Sequence, residues 1–346
     1  MGGFILSSNL STPTLSITIN YFKILPITRD SALLVVLIQT LQNLIEMKLK
    51  NLVLNSLKNV DLSMIDIKEP SKEFLDLIKK EIILQRKKNY SFPIPKIDKL
   101  QIPNFVFLLR TLDFRRWEFK KNWVYKNKKR FWALFSKLED LFKIGVKNID
   151  YKIFKKIISP KESDSLGKLR FKFFKKNLLW LKNNYDGNFK NYFEKNKNPL
   201  NFTLGLTNLG RFEDIAKNSK KIYFLKPNQL LYTEYLLATN QMKKYSENLK
   251  DLTAFADYRL PQVLMYFNII IPNKKLLDKI KNKKIIRIGS KEEIEIRAST
   301  ILACELIKNK IKKVSSFEVD MALWNFTYKN KIKINIPHFR AKSIFY

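Results

Sequence analysis

Asp251-Leu-Thr-Ala-Phe-Ala-Asp257-Tyr-Arg259-Leu-Pro261-Gln262-Val-Leu264 is the stretch on which the reading of this chain turns. Pro261 disfavours helix at Leu260 and suits a first helical turn, so the spacing predicts a helix running from there through VLMYFNIII to Pro272. Asp257 then stands just before a helix N-terminus, where unpaired backbone N–H groups and the positive end of the dipole favour an anion. Two roles are open to it. The carboxylate either caps the helix or, between Phe255 and Tyr258 in a partly apolar cleft, serves a reaction that develops positive charge. Breaking a glycosidic bond is such a reaction, because its transition state resembles an oxocarbenium ion.

Outward from this stretch, apolar residues recur at three- and four-residue spacing in 31–59, 72–86, 130–145, 168–183, 227–243 and 291–312, which predicts a series of amphipathic helices. Strand-like alternation is confined to short runs. KKIIRIG at 283–289, in a small hairpin, and KIKINIP at 331–337 are the candidates. The expected fold is mostly α, a multi-helix body of two lobes with at most a small β element. KKNYSFPIPKIDKLQIP at 87–103 carries three prolines and is not a regular helix. It joins an N-terminal helical portion with its Pro-rich connector, 1–103, to the rest of the chain, 104–346, and the two are expected to form one compact unit. A cleft between lobes is the natural place for a small ligand.

The 346 residues include 45% apolar ones, enough for a substantial core and too many for a disordered chain. With one cysteine and one histidine, Cys304 and His338, neither a Cys/His zinc site nor a disulfide framework is expected. Cys304, within ILACELI, reads as a small buried hydrophobe. The formal net charge of +35 points toward anionic ligands. Abundant Lys, Asn, Ile, Phe and Tyr beside only 8 Gly also fit codon drift in an AT-rich genome, so direct nucleic-acid binding is not the expected main function. The apolar run ALLVVLI at 32–38 is far too short to cross a bilayer. The expectation is a cytoplasmic monomer without metal or cofactor.

LTAFADYRLPQVL at 252–264 resembles the signature of the queuosine salvage protein family, whose members read Leu-Thr-x-Phe-Ala-Asp-Tyr-Arg-x-Pro-Gln. GSKEEIEIRAS at 289–299 is similar to the family's Gly-Ser-x-x-Glu-x-Glu-Ile-Arg block, VDMALW at 319–324 to its Asp-x-x-Leu-Trp block, and PHFRAKSIFY at 337–346 to its Pro-His-x-Arg ending. Upstream the likeness thins. Asp113-Phe-Arg-Arg-Trp117 stands where members have Asn-Phe-Ser-Phe-Trp, Arg211-Phe-Glu-Asp214 where they have Phe-Arg-Asp, and Lys226-Pro-Asn-Gln229 where they have Lys-Arg-Ala-Gln.

The resemblance implies a fold similar to helix-hairpin-helix DNA glycosylases and hydrolysis of the free nucleotide queuosine 5′-phosphate to queuine and ribose 5-phosphate. It makes Asp257 the catalytic carboxylate and Phe255, Tyr258 and Gln262 substrate contacts. Arg259 and Lys226 become candidates for the 5′-phosphate through charge-assisted hydrogen bonds. Asp320 and Trp324, four apart on a predicted helix, either hold and stack a guanine-like base or serve as helix-terminal anion and core residue. Phe114 and Trp117 wall the base or pack in the core. Ser290 and Glu293 form a capping box. Glu295 and Arg297 brace the site, as an ion pair or by reaching the ligand, and His338 acts as a general acid or as a packing residue. Two other readings compete. One is a base-excision glycosylase on DNA or RNA, against which the absence of glycine before Asp257 counts. The other is a catalytically decayed nucleic-acid-binding protein.

Overall fold

The computed structural model describes residues 48–88, 91–115, 124–159, 164–217, 220–329 and 334–346. Most of the helix predicted at 31–59, the apolar run at 32–38, Trp117 and the start of the strand predicted at 331–337 lie outside them. The described elements are α1 (Leu49–Leu57), β1 (Ile65–Ile67), α2 (Lys72–Lys88), α3 (Ile102–Leu112), the β2–β3 hairpin (Val124–Tyr125, Lys128–Lys129), α4 (Phe131–Ile144), α5 (Tyr151–Ile157), α6 (Asp164–Tyr185), α7 (Phe189–Lys195) and α8 (Pro199–Gly205). They continue with β4 (Ile215–Lys217), β5 (Lys221–Tyr223), α9 (Lys226–Ala238), α10 (Arg259–Tyr266), β6 (Ile270–Pro272), α11 (Lys274–Lys281), α12 (Lys291–Ile311) and α13 (Ser316–Lys329). The chain is mostly α, with three two-stranded antiparallel ribbons among the described residues.

Local chemistry places the ends of these elements. Pro103 sits in the first turn of α3, closing the Pro-rich connector, and Asp150, Asn188, Asn198 and Asn273 each cap a following helix through a side-chain oxygen. Ser290 accepts from the Glu293 N–H at 3.3 Å, as the capping-box pattern requires.

Two expectations are corrected. The segment from Leu260 to Pro272 is not one helix: α10 ends at Tyr266, Asn268 takes a left-handed φ of 55°, and the Ile269 N–H closes on the Leu264 carbonyl at 2.8 Å. Three consecutive isoleucines follow, a run that crowds a helix but suits a strand. Ile270 to Pro272 pair with β1 in the register Ile65↔Pro272, Asp66↔Ile271, Ile67↔Ile270. KKIIRIG forms neither strand nor hairpin; its one bridge joins Ile285 to Arg340, and the Ile286 N–H donates to the Arg340 carbonyl at 2.8 Å. Alternation alone cannot make a strand where only a single facing residue is offered.

Two large apolar clusters make up most of the core. The larger gathers α1, α3 to α9 and Leu252, Phe255 and Ala256. The smaller gathers β1, α2, α10, β6, α11, α13 and Phe339, Ala341 and Tyr346. Helix α12 belongs to both: Ile294, Ala298 and Ile301 face the larger cluster, and Ile296, Ala303, Cys304 and Ile307 the smaller. It is buried without a break from Glu293 to Ile301, so its charged residues there must find partners inside the protein. Cys304 is fully buried, and burial pushes its thiol up. Among the described residues no helix is long and apolar enough to cross a membrane.

Candidate active site

Leu252, Phe255 and Ala256 belong to the larger cluster and Ala254 and Leu260 to the smaller, so Asp257 lies where the chain runs along both. Residues 252–256 are buried and pair with no strand; the Leu252 and Ala256 N–H groups reach the Leu249 and Ala254 carbonyls, and side chains satisfy other backbone groups here. Gln229 of α9 accepts the Thr253 N–H at 2.8 Å and donates to the Thr253 hydroxyl at 3.0 Å. Asp320 of α13 accepts the Phe255 N–H at 2.6 Å. Arg297 of α12 donates from Nε to the Ala256 carbonyl at 3.2 Å. Three helices thus hold Thr253, Phe255 and Ala256, just before Asp257.

Asp257 itself is partly exposed, and its Oδ1 accepts from the N–H groups of Arg259 at 2.6 Å and Leu260 at 3.3 Å. It therefore does cap α10, and that task occupies one oxygen. Its Oδ2 has no hydrogen bond among the described residues. The two roles left open by the sequence are compatible because the carboxylate has two ends.

The other candidates fall into groups. Lys226, the first residue of α9, is 6% exposed and its ammonium makes no hydrogen bond among the described residues. Burial pulls it down to about 8, against the attraction of Asp257 and helped by Arg211 and Arg110. Asp320 is 3% exposed and burial pushes it up to about 7, with Asp257 adding to the rise and the Phe255 N–H and Lys226 opposing it. Asp257, Asp320 and Lys226 are therefore mutually interacting charges. Tyr258 lies beside His338, ring centroids 4.7 Å apart. His338 Nδ1 is 2.8 Å from the Phe339 carbonyl, and burial first, then Arg259 and Arg340, hold the ring below its ordinary value. A neutral imidazole with Nδ1–H bound to that carbonyl has no proton at Nε2 to give, which disfavours the general-acid role at neutral pH. Arg259 donates to Gln262 Oε1 at 3.0 Å, and Gln262 Nε2 donates to the Ile336 carbonyl at 2.7 Å, tying the 334–346 segment to α10.

The remaining candidates differ in burial and in partners. Trp324 is 39% exposed while Asp320 is buried, so their four-residue spacing does not give them a shared environment and Trp324 is not core. Phe114 is buried, with the Arg170 guanidinium 4.1 Å from its ring centre. Glu295 and Arg297 do not pair: two apart on a helix they point to opposite sides. Glu295 accepts the Met64 N–H at 2.8 Å, and Arg297 forms two hydrogen bonds to Asp214, at 2.7 and 2.6 Å. A separate groove opens at the far end of α10, between Tyr266, Asn268, Leu277, Lys281 and residues 335–337. It carries none of these charges.

Sequence reasoning missed Asp214, Gln229, Glu293 beyond its capping role, and Tyr346. The Tyr346 hydroxyl donates to Glu293 Oε1 at 2.9 Å, and Glu293 lies 3.4 Å from Arg297. All four stood inside or beside the family-like blocks, which was the available signal.

Asp320 contributes a pH dependence of its own to stability. Its pKa in the folded protein is above the ordinary 3.8, so the folded chain keeps a proton that the unfolded chain releases. Its contribution is most favourable below that ordinary value and is lost as pH rises toward about 7. Asp320→Asn keeps an acceptor for the Phe255 N–H but cannot ionise. Urea denaturation should therefore show a smaller decline in stability across that window than in the unaltered protein, by on the order of a few kcal/mol. Parallel pH dependences in the two proteins would refute this.

The family model described as queuosine salvage protein matches residues 94–346. The chain belongs to the queuosine salvage protein family. Members named queuosine 5′-phosphate N-glycosylase/hydrolase are similar to it: 26% identical over 178 residues in Mus musculus (47% of this chain, 53% of that protein), and 31% over 141 residues in Sphaerobacter thermophilus (39% and 43%). With the Nematostella vectensis member the likeness runs longer, 26% over 285 residues, 70% of this chain and 81% of that protein. The chain spans about half the length of the mouse and Sphaerobacter relatives it matches. The queuosine salvage match includes Asp214, Lys226, Asp257, Arg297 and Asp320.

Proposed function

We propose that this protein hydrolyses the N-glycosidic bond of queuosine 5′-phosphate, releasing queuine and ribose 5-phosphate. The observation that carries the reading is the division of labour at Asp257: one oxygen anchors the carboxylate to the start of α10, and the other has no hydrogen-bond partner among the described residues. A held anion with one free oxygen suits a sugar that gains positive charge at C1′ as the base departs. The same oxygen can stabilise the ribosyl cation and orient water, or attack C1′ directly.

The neighbours are assigned by chemistry. Asp320, titrating near neutrality, can accept from the amino and ring N–H groups of a guanine-like base as a carboxylate, or donate as an acid. Tyr258 and Phe255 supply apolar surface beside the reacting sugar. Arg259 uses one terminal nitrogen on Gln262 and offers its remaining donors to the 5′-phosphate, and the Lys226 ammonium is the second candidate for that anion. The names of the relatives support the substrate class.

The test is direct. Purified protein incubated with queuosine 5′-phosphate should release queuine detectable by mass spectrometry, and should release no base from duplex DNA. Base release from the duplex, with none from the nucleotide, would overturn the proposal in favour of base excision.

A further inference from the structure

Asp214 is 1% exposed and serves three segments at once. Its backbone carbonyl accepts the N–H groups of Phe224 and Leu225, at 3.1 and 3.0 Å, which sets the end of the β4–β5 ribbon against its own residue. Its Oδ2 accepts the Lys226 N–H at 2.9 Å and so begins α9. Both oxygens receive the Arg297 guanidinium, whose Nε reaches on to the Ala256 carbonyl. The guanidinium is also boxed in by rings, 4.0 Å from the centre of Phe224 and 5.1 Å from that of Tyr346. A bidentate carboxylate–guanidinium pair has a fixed geometry, unlike a single point contact. The path from Lys226 to the residue before Asp257 therefore runs through one rigid pair and two hydrogen bonds.

We propose that Asp214 is a positioning residue: its carboxylate, shared between the Lys226 N–H and Arg297, sets the separation between the Lys226 ammonium and the Asp257 carboxylate. That this separation matters for turnover rests on the hydrolase reading above; that Asp214 sets it does not. Burial acts most strongly against the Lys226 charge; of the neighbouring charges, Asp257 and Asp113 favour it and Arg211 and Arg110 oppose it. Asp214→Asn also removes a charge beside Lys226, so the placement effect is read from Asp214→Glu, which keeps it.

Two variants separate positioning from simple support of the fold. Asp214→Asn keeps a cap for the Lys226 N–H but loses the ion pair, and Asp214→Glu keeps the charge while lengthening the arm by one methylene. In each, the titration midpoint of Lys226 is followed by NMR of the 13C-labelled lysine side chain, with no substrate present. The expected result is a midpoint below that of the unaltered protein, because Asp257 is no longer held near. With queuosine 5′-phosphate, kcat/KM should fall by at least ~10-fold, as expected when the carboxylate at the sugar and the ammonium offered to the phosphate are misplaced relative to one another. If the Asn variant does not fold, the Glu variant decides. A folded variant whose Lys226 midpoint matches the unaltered protein would overturn the positioning role, whether or not the protein turns over the nucleotide. Absence of turnover in the unaltered protein, with a displaced midpoint in the variant, would instead overturn only the hydrolase reading.

Discussion

Asp257→Asn is expected to lower the rate of queuine release by at least ~100-fold, the scale of losing a key electrostatic group aimed at a developing charge. Asn and Asp are comparable helix caps, so the Arg259 and Leu260 N–H groups keep an acceptor and α10 should begin where it does now. The variant therefore removes the negative charge while leaving the geometry. Its thermal unfolding should match that of the unaltered protein, whereas Asp257→Ala should also lose about 0.5–2 kcal/mol of stability with the cap. Rates measured on the nucleotide, with unfolding curves on the same preparations, check both parts. Equal rates in the Asn variant and the unaltered protein would take Asp257 out of the mechanism and reduce it to a cap.

Arg297→Met is expected to produce the largest loss of stability, about 3–5 kcal/mol by chemical denaturation. Burial disfavours the guanidinium, but Asp214 and Glu293 more than offset this and hold its pKa well above the ordinary value. Removing it leaves two buried carboxylates, Asp214 at 1% and Glu293 at 1% exposure, without their shared cation. The Ala256 carbonyl and the Tyr346–Glu293 contact lose their anchor in the same step. The penalty is one of uncompensated charge rather than lost attraction, so the double variant Asp214→Asn, Arg297→Met should recover part of it. A double variant no more stable than Arg297→Met alone would show that packing around Phe224 and Tyr346, rather than charge, governs the site.

How much of this was legible in the amino-acid order differs by kind of feature. Periodicity located the helices at 72–86, 130–145, 168–183, 227–243 and 291–312, because burying one face of a helix leaves a local repeat that survives any tertiary arrangement. Asp257 before a helix start was legible for a similar reason: Pro261 and a capping carboxylate act within one turn. The break after Tyr266 was not, because the same isoleucines satisfy a buried helix or a strand, and β1, some two hundred residues earlier, decides between them.

The sequence by itself determined the helical character, the charge, the family and the position of the carboxylate that carries the proposed chemistry. Only the tertiary structure decided the partners of the buried charges: Arg297 with Asp214 instead of Glu295, Asp320 on the Phe255 N–H, and Lys226 brought into range of Asp257. The reason is physical. A helix start depends on neighbours in the chain, whereas a buried charge depends on whichever opposite charge or N–H the packed core brings within about 3 Å of it, and that proximity is set by contacts between distant segments.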